Sequence, residues 1–398
     1  MTSKIKPMTA RPGIFSGPLG SARLFLPMSL AFGGWQMANA QSQLDYRFEY
    51  YKEDDNRMTI ETHSIHFEQQ IIDSIMARGD LTYDGISGAT PTGLVDPTGK
   101  PYMATLKDIR RAEGVELDAK LGNHTLTPAF THSLESDYES YGVSLGDAVD
   151  FNDKNTTLKF GFSHNFDSAL SSPTYYPPRV WKEKQSTEGI IGISQLLSPK
   201  AIFSTALTFG NDSGYLSDPY RFAAFEPFGP GAEFAAPDTR PSHRNKEVLY
   251  TSLTYFVVPA HASIEGSYRF YHDSYGILSH TLELSWHEWL GSHVIIEPRF
   301  RFSEQSAADF YTTGFPGPYV TDPNTGAYIP PSGIHSSDYR LSELYTLDYG
   351  LQATFVLDQN TRIIVGYHRY EMYGLDSSTP PAMYPKANVI TIGFSLLW

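Results

Sequence analysis

Segments of alternating apolar and polar residues recur along most of this sequence and constrain its fold more than any other feature. In the last segment the apolar positions are Ile390, Ile392, Phe394, Leu396 and Trp398, and Trp398 ends the chain. Successive side chains of a β-strand point to opposite faces, so each segment predicts a strand with one apolar face. Two all-β folds contain many such strands, a soluble sandwich and a closed membrane barrel.

The connections between these segments favour the barrel. Short polar turns alternate along much of the chain with long loops rich in Pro, Gly, Ser, Tyr and Asp, which lie near 87–110, 168–184, 211–245, 304–342 and 374–386. Bacterial outer-membrane barrels have short periplasmic turns and long extracellular loops. We therefore predict a single transmembrane, antiparallel, up-and-down β-barrel of about 16 strands. A count of about 14 stays open, because the segments 59–73 and 135–141 are ambiguous.

The N-terminal segment predicts export from the cytoplasm. An apolar run covers 24–32, and the segment before it has no acidic residue and carries the basic residues Lys4, Lys6, Arg11 and Arg23. The sequence Ala-Asn-Ala at 38–40 fits a signal-peptidase site. We therefore expect residues 1–40 to be a cleaved signal peptide and residues 41–398 to form the barrel. The chain contains no cysteine, so we expect no disulfide and no lipoprotein anchor.

The C-terminal strand predicts the membrane that the barrel enters. A terminal aromatic preceded by apolar residues at alternate positions is similar to the signal by which outer-membrane barrels are recognised for insertion. Our candidate insertion signal is Ile390, Ile392, Phe394, Leu396 and Trp398. No apolar run reaches the roughly 20 residues of a transmembrane helix, so crossing a membrane requires a closed barrel. We expect a location in the outer membrane of a Gram-negative bacterium, in contact with its lipid, its lipopolysaccharide and the barrel assembly machinery.

Charge constrains the partners and the lumen. Without residues 1–40 the chain has 26 basic and 44 acidic residues, a formal net charge of −18. Such a charge is unsuited to nucleic acid and favours cationic solutes. Charges fall on the strand face opposite the aromatics, and a charge facing lipid is costly, so they are predicted to face the lumen. Our lumen or pore-lining candidates are Arg78, Asp80, Asp84, Glu116, Asp118, Lys120, Glu265, Arg269, Glu283, Glu297, Arg299, Arg301 and Asp348.

Three consecutive predicted strands carry the densest group of these charges. They hold Glu265 and Arg269, then Glu283, then Glu297, Arg299 and Arg301. Residues opposite each other on neighbouring strands interact, so we expect cross-strand ion pairs on this wall. Two interpretations stay open. The charges either solvate or fill a wet lumen, or their opposed walls form a selectivity constriction.

Five sequence motifs resemble those of a known family. They are Ser-Gly-Ala-Thr-Pro-Thr at 87–92, Asn-Thr-Thr-Leu at 155–158, Gly-Tyr-Leu-Ser-Asp-Pro-Tyr-Arg at 214–221, Tyr-Arg-Phe-Tyr-His-Asp-Ser-Tyr-Gly-Ile at 268–277 and Gln-Ser-Ala-Ala-Asp-Phe-Tyr at 305–311. Together they resemble an uncharacterised family of Gram-negative outer-membrane barrels, known only as a domain of unknown function. The resemblance implies the barrel fold. Its association with periplasmic flavinylation and thioredoxin-like proteins implies a periplasmic redox partner.

Two of these motifs also predict how the outer loops are arranged. The segments at 214–221 and 305–311 combine turn residues with aromatic residues. Segments of this kind pack by their own side chains rather than extending into solvent. We therefore expect both loops to fold into the mouth of the barrel.

An enzymatic site is not expected. His272 and Ser274 have the two-residue spacing found in outer-membrane phospholipases, but both are predicted to face lipid. Tyr275 and Gly276 follow where that family has an asparagine. A lipid hydrolase therefore stays a remote alternative. The sequence contains no glycine-rich phosphate loop and no flavin motif, so we expect no cofactor.

A metal site is not expected either, because no His or Cys cluster has the spacing of metal ligands. The densest carboxylate group comprises Glu135, Asp137 and Glu139, with Asp147 and Asp150 a little further on. Such a group has the chemistry to hold Ca²⁺ or to bridge to lipopolysaccharide through cations. A solvated acidic surface is the favoured interpretation.

Two functions stay open at this point. The first is a channel or porin-like protein for small hydrophilic solutes or ions, with a preference for cations. The second is a scaffold or sleeve for a redox partner, in which the loops 211–245 and 304–342 or another chain occupy the lumen. Both functions need the same polar lumen, so the sequence does not separate them.

Overall fold

The computed structural model describes residues 42–171, 179–226, 234–316, 320–321, 328–329 and 333–398. The predicted signal peptide lies outside the described residues, so its cleavage stays a prediction. The strands are β1 (Ser42–Glu53), β2 (Met58–Ile72), β3 (Ile75–Val95), β4 (Pro101–Leu121), β5 (His124–Leu134), β6 (Tyr138–Phe151), β7 (Thr156–Leu170), β8 (Trp181–Ser198), β9 (Ala201–Gly214), β10 (Phe222–Glu226), β11 (Phe234–Pro237), β12 (His243–Val257), β13 (Ala262–Asp273), β14 (Leu278–Leu290), β15 (Val294–Gln305), β16 (Phe315–Pro316), β17 (Val320–Thr321), β18 (Tyr328–Ile329), β19 (Leu344–Val356), β20 (Thr361–Gly374) and β21 (Lys386–Leu397). Short 3-10 helices cover Asp54–Asn56, Val258–Ala260, Tyr339–Leu341 and Pro381–Met383.

Sixteen of these strands form one closed barrel, in the order β1 to β9, β12 to β15 and β19 to β21. Every neighbouring pair is antiparallel, and β1 pairs with β21 to close the sheet. The predicted all-β, antiparallel barrel and its predicted strand count are thereby confirmed. The ambiguous segment 59–73 belongs mostly to β2, and the segment 135–141 contains the turn from β5 to β6. No helix in the described part of the chain is long and apolar enough to span a bilayer.

The alternation places apolar side chains outside the barrel and polar side chains inside it. In β21, Ile390, Ile392 and Phe394 are exposed on the outer face, whereas Thr391 and Ser395 on the inner face are buried. In lipid such an apolar exterior is the favoured surface. Closure gives every barrel strand two neighbours, so its backbone donors and acceptors are paired without water.

The two ends of the barrel differ in the length of their connections. The end that holds Ser42 and Trp398 has short turns at 73–74, 122–123, 152–155, 199–200, 258–261, 291–293 and 357–360. In outer-membrane barrels this end faces the periplasm. The longer connections lie at the opposite, outer end and cover 171–180, 215–242, 306–343 and 375–385. Four of the five predicted long loops therefore occur at one end of the barrel.

The fifth predicted loop, 87–110, is wrong over most of its length. β3 and β4 continue through it and leave only 96–100 as their connection. Pro91 and Gly93 are turn-forming residues, yet they disturb the pairing only between Pro91 and Val95. Pairing the two strands satisfies the backbone groups that a loop would leave to water, which explains why the hairpin extends beyond the barrel rim.

Candidate functional site

All thirteen candidate lumen residues lie on the polar face of their strands. The pairing register places Arg78 opposite Glu116, and Arg301 opposite both Glu283 and Asp348. Their neighbours along each strand belong to the exposed apolar face. The inward-facing candidates are Arg78, Asp80, Asp84, Glu116, Asp118, Lys120, Glu265, Arg269, Glu283, Glu297, Arg299, Arg301 and Asp348. Their role in permeation stays a prediction.

One group of lumen charges is centred on Arg78 of β3. Its guanidinium nitrogens lie 3.3 Å from Glu68, 3.1 Å from Glu116 and 2.6 Å from Asp118. These carboxylates come from β2 and β4, the two neighbours of β3. The group therefore ties three adjacent strands together on the lumen side, as expected for cross-strand ion pairs.

A second group of lumen charges lies across β13, β14 and β15. Arg299 Nη2 is 2.6 Å from Glu283 Oε1, and its Nε is 4.0 Å from Glu297 Oε1. His287 Nε2 is 3.2 Å from Glu297 Oε2. Together with Glu265 these side chains line a cavity in the lumen wall. Sequence analysis missed His287, although it has the same parity as Glu283 on β14 and therefore shares its face.

Two long outer loops close over the mouth of the barrel. We call their described parts, 215–226, 234–242, 306–316 and 333–343, the plug. The plug contains a small sheet of β11, β10 and β16, in which β10 pairs with both of the others. Its aromatic ring pair Phe225 and Phe315 has centroids 5.2 Å apart and joins the two loops. The structure therefore brings together the loops that carry the motifs at 214–221 and 305–311.

Six charged residues form an ion-pair network inside the plug. We call them the mouth network, and they are Asp218, Arg221, Asp238, Arg240, Asp338 and Arg340. Asp338 is fully buried at its centre, with Arg240 Nη2 at 2.7 Å and Arg340 Nε at 2.8 Å. Arg340 also pairs with Asp218 of the other loop. The three positive and three negative charges neutralise one another where water is excluded, and this is the condition under which buried charges are tolerated.

The plug is anchored to distant parts of the barrel wall. It starts from β9, and Arg221 Nη2 donates a hydrogen bond to Thr90 Oγ1 of β3 at 3.0 Å. In a barrel of sixteen strands β3 and β9 are six strands apart, so this loop crosses the mouth. On another side, Gln305 Nε2 of β15 donates to the carbonyl of Arg340 at 2.9 Å. The plug is therefore held to the wall on several sides rather than at a single point.

Two apolar clusters complete the packing of the plug. The first comprises Tyr275, Ile277, Ala308 and Leu341, with Phe310 packed against it. The second comprises Tyr339, Leu344, Tyr370, Met372, Met383 and Tyr384. Both clusters join plug residues to side chains of the barrel or its other loops. Burying this apolar surface stabilises the folded-in position of the loops.

The three acids of the mouth network differ in the direction in which their pKa values are shifted. Burial alone would raise the pKa of Asp218 and of Asp338, but the charges of Arg340 and Arg221 outweigh it and hold both pKa values below the ordinary one. Burial raises the pKa of Asp238, even though Arg240 opposes the rise. Asp338 and Asp218 are therefore carboxylates at neutral pH, and they require their arginine partners.

The structure places only some of the predicted carboxylates close to one another. Asp108, Glu135 and Asp137 place carboxylate oxygens within 4.8 Å of one another at the outer rim. Burial raises the pKa of Glu135 to about 7. Glu139 does not join them, because its Oε1 accepts a hydrogen bond from Tyr141 at 2.7 Å. Asp147 and Asp150 also have other partners, His124 at 2.9 Å and Thr157 at 2.7 Å.

The other predicted residues lie on the outer face or at its rim. His272 Nδ1 is 3.7 Å from Glu247, and Ser274 Oγ accepts a hydrogen bond from the backbone N–H of Asn245 at 3.0 Å. In the candidate insertion signal Ile390, Ile392, Phe394 and Trp398 are exposed, and Leu396 is half-buried. An exposed apolar row at the C-terminal strand leaves its side chains accessible to lipid.

The closed barrel, its apolar exterior and its charged lumen define an outer-membrane β-barrel protein. Solved structures with a similar fold include CdiB from Acinetobacter baumannii (8% identity, TM-score 0.50), which aligns over 90% of this chain and 60% of that one. The siderophore receptor PirA from Pseudomonas aeruginosa (9%, 0.41) aligns over 91% and 64%, and OmpT of Vibrio cholerae (8%, 0.40) over 90% and 97%. The chain thus spans less than two thirds of the length of CdiB and PirA.

The family is identified by sequence. The model of the family described as protein of unknown function (DUF3570) matches residues 92–383, and the chain belongs to this family. No curated protein matches the sequence. The predicted membership of an uncharacterised family is therefore confirmed.

Proposed function

We propose that this protein is an outer-membrane channel for small hydrophilic solutes or ions, and that the plug closes its outer mouth at rest. The charged, inward-facing residues supply a polar path through the bilayer, as in other barrels with a wet lumen. The observation that carries the closed state is the mouth network, in which buried Asp338 joins Arg240 of one loop to Arg340 of the other. Because ion pairs between the two loops hold the mouth closed, breaking these pairs would open it.

Opening the mouth does not require the barrel to open. The mouth network consists of loop residues alone, whereas the barrel is closed by backbone pairing from β1 to β21. Removing one partner of a buried ion pair costs about 3–5 kcal/mol, because the remaining charge is left buried and uncompensated. Loss of Asp338 therefore favours an arrangement in which the arginines reach water and the loops leave the mouth.

Single-channel conductance in planar bilayers tests this proposal. We expect the wild-type barrel to stay closed for most of the time and Asp338→Asn to stay open for much longer. Asp96→Asn is the matched control, because it makes the same change in an outer connection where Asp96 contacts only its own turn. The control is expected to behave as wild type. If Asp338→Asn and wild type are both silent while both remain heat-modifiable on a gel, the channel proposal fails.

The filled mouth also favours a second candidate function, a sleeve for a periplasmic partner. The plug lies at the outer end, whereas the connections at the periplasmic end are all turns of two to four residues. A partner therefore has access from the periplasm. The family resemblance suggests that this partner is a redox protein. A barrel that stays silent even with Asp338→Asn, and that co-purifies with a periplasmic redox protein, would support the sleeve.

A further inference from the structure

Two arginines of the lumen wall have no direct ion pair within the part of the chain that the structure describes. Arg269 of β13 and Arg301 of β15 both face the lumen and are half-buried. Among the described residues no carboxylate lies within ion-pair distance of either guanidinium, and Arg269 instead stacks on the ring of Tyr271 at 5.3 Å. Most other lumen arginines are paired, for example Arg78 and Arg299. These two side chains therefore carry positive charge without a direct ion pair, and the acid whose charge acts on Arg269 from further away, Glu188, is itself paired with Lys246 at 2.8 Å.

The acids nearest to Arg301 are committed to other partners. Glu283 and Asp348 lie directly opposite Arg301 on the two neighbouring strands. Glu283 nevertheless pairs with Arg299 at 2.6 Å, and Asp348 pairs with His368 at 2.9 Å. An arginine between two carboxylates that bind elsewhere keeps its donors free for a solute, because guanidinium donors in a wet lumen are satisfied by water until an anion arrives.

The register brings the two arginines to the same part of the lumen. Arg269 is opposite Thr281 of β14, and Thr281 is opposite Ser303 of β15, two residues from Arg301. With strands about 4.8 Å apart and residues about 3.4 Å apart, the two Cα atoms are about 12 Å apart, within the combined reach of two arginine side chains. The hydroxyl oxygens of Thr281 and Ser303, 2.8 Å from each other, lie between them.

We propose that Arg269, Arg301, Thr281 and Ser303 form a binding site for a small oxyanion, such as the phosphate or carboxylate group of a solute. Guanidinium groups bind such groups through paired, charge-assisted hydrogen bonds. The Thr281 and Ser303 hydroxyls are hydrogen-bonded to each other, so the one that accepts in this pair keeps its O–H as a neutral donor. An oxyanion between two arginines also relieves the repulsion of their like charges. The site deepens the channel proposal by naming the solute class.

This site opposes the cation preference that the net charge of −18 predicts. The net charge counts every charged side chain of residues 41–398, including those on loops far from the lumen. Selection in a channel depends instead on the few side chains that a solute contacts. Acids on the outer loops have fields that are screened within about 10 Å at 0.1 M salt. The acids Glu283 and Glu297 of the same wall are paired with Arg299, so the two arginines without a direct ion pair are the charges left to attract an anion there.

Isothermal titration of inorganic phosphate into the detergent-solubilised full-length barrel tests the site. We expect wild type to bind phosphate, and Arg269→Gln and Arg301→Gln each to weaken binding at least about tenfold, because each removes charge-assisted hydrogen bonds. Lys120→Gln is the matched control, since it also removes one lumen-facing positive charge but near the periplasmic end of β4. It is expected to leave phosphate binding within about twofold of wild type.

The outcomes separate this inference from the channel proposal. Heat-modifiability on a gel first establishes that each variant is a folded barrel. No phosphate binding by wild type, or equal weakening by Lys120→Gln, would reject the site. Phosphate binding is measured without any current, so it is independent of conductance. A barrel that conducts no current but binds phosphate through Arg269 and Arg301 would support the site and contradict the channel proposal. A barrel that conducts current but binds no phosphate would support the channel proposal and reject the site.

Discussion

At the scale of single residues, Gly93 of β3 controls how closely the plug approaches the barrel wall. Its backbone has a φ of +97°, which residues with a side chain rarely adopt. A Cβ atom at this position would lie 2.6 Å from the carbonyl oxygen of Phe222 and 2.9 Å from that of Ser337. Both oxygens belong to plug backbone, which cannot move aside as a flexible side chain would. The missing side chain therefore lets both loops rest against β3.

Replacing Gly93 by alanine is expected to loosen the plug and leave the barrel intact. The clash and the strained backbone together destabilise the seated plug by about 1–3 kcal/mol. We expect Gly93→Ala to open more often in bilayer recordings and to expose the plug to protease. Gly99→Ala is the control, because Gly99 has a similar φ of +82° but nothing within 4 Å of its Cβ position. Equal effects of both variants would contradict the seating role.

At the scale of elements, the strands could be predicted from sequence, whereas the ion pairs that build the plug could not. A strand is recognised by alternation within about ten residues, so β21 and the inward face of β14 were predictable from local pattern. The ion pair between Arg340 and Asp218 joins residues 122 positions apart and leaves no periodic pattern. The motifs at 214–221 and 305–311 predicted that their loops fold into the mouth of the barrel. Nothing in them identified Asp338 as a partner.

We expect the pH response of the plug to depend on His335. Its ring packs between Phe225 and Phe315 and contacts the carbonyl of Pro237 at 3.0 Å. Burial lowers the pKa of His335, although that carbonyl and Asp238 favour the charged ring. A lowered histidine pKa contributes stability that is present above pH 6.5 and is lost as the pH falls through the folded pKa. Asp218 and Asp338, whose pKa values are lowered, also contribute stability that is lost as the pH falls, but this loss begins only below the ordinary aspartate pKa of 3.8.

We therefore expect wild-type channels to open more often as the pH is lowered from about 7 to about 5, the range in which histidine titrates first. His335→Gln keeps an amide donor for the carbonyl of Pro237 and does not titrate. Its open fraction is expected to stay constant over this range. His124→Gln, at the start of β5 on the periplasmic side, serves as the control and should keep the wild-type response. A wild-type response in His335→Gln would show that another group senses the pH.

At the scale of the whole molecule, the C-terminal residue both completes the barrel and ends the candidate insertion signal. Trp398 donates its backbone N–H to Ser42 and accepts from the N–H of Ser42, each at 3.1 Å, at the junction of the first and last strands. Its side chain is exposed on the outer face, in line with Ile392 and Phe394. Removing Trp398 therefore changes two things, the backbone pairing that closes the barrel and the aromatic group offered for recognition.

Two variants separate these contributions. Trp398→Ala keeps the backbone pair with Ser42 and removes only the aromatic ring, whereas truncation of Trp398 removes both. If recognition of the aromatic limits assembly, both variants reach the outer membrane poorly, measured as the heat-modifiable fraction in membrane extracts. If closure limits assembly, only the truncation fails, because an unpaired strand end in lipid leaves backbone groups unsatisfied at a cost of several kcal/mol. Wild-type assembly of both variants would contradict the role of Trp398 in insertion.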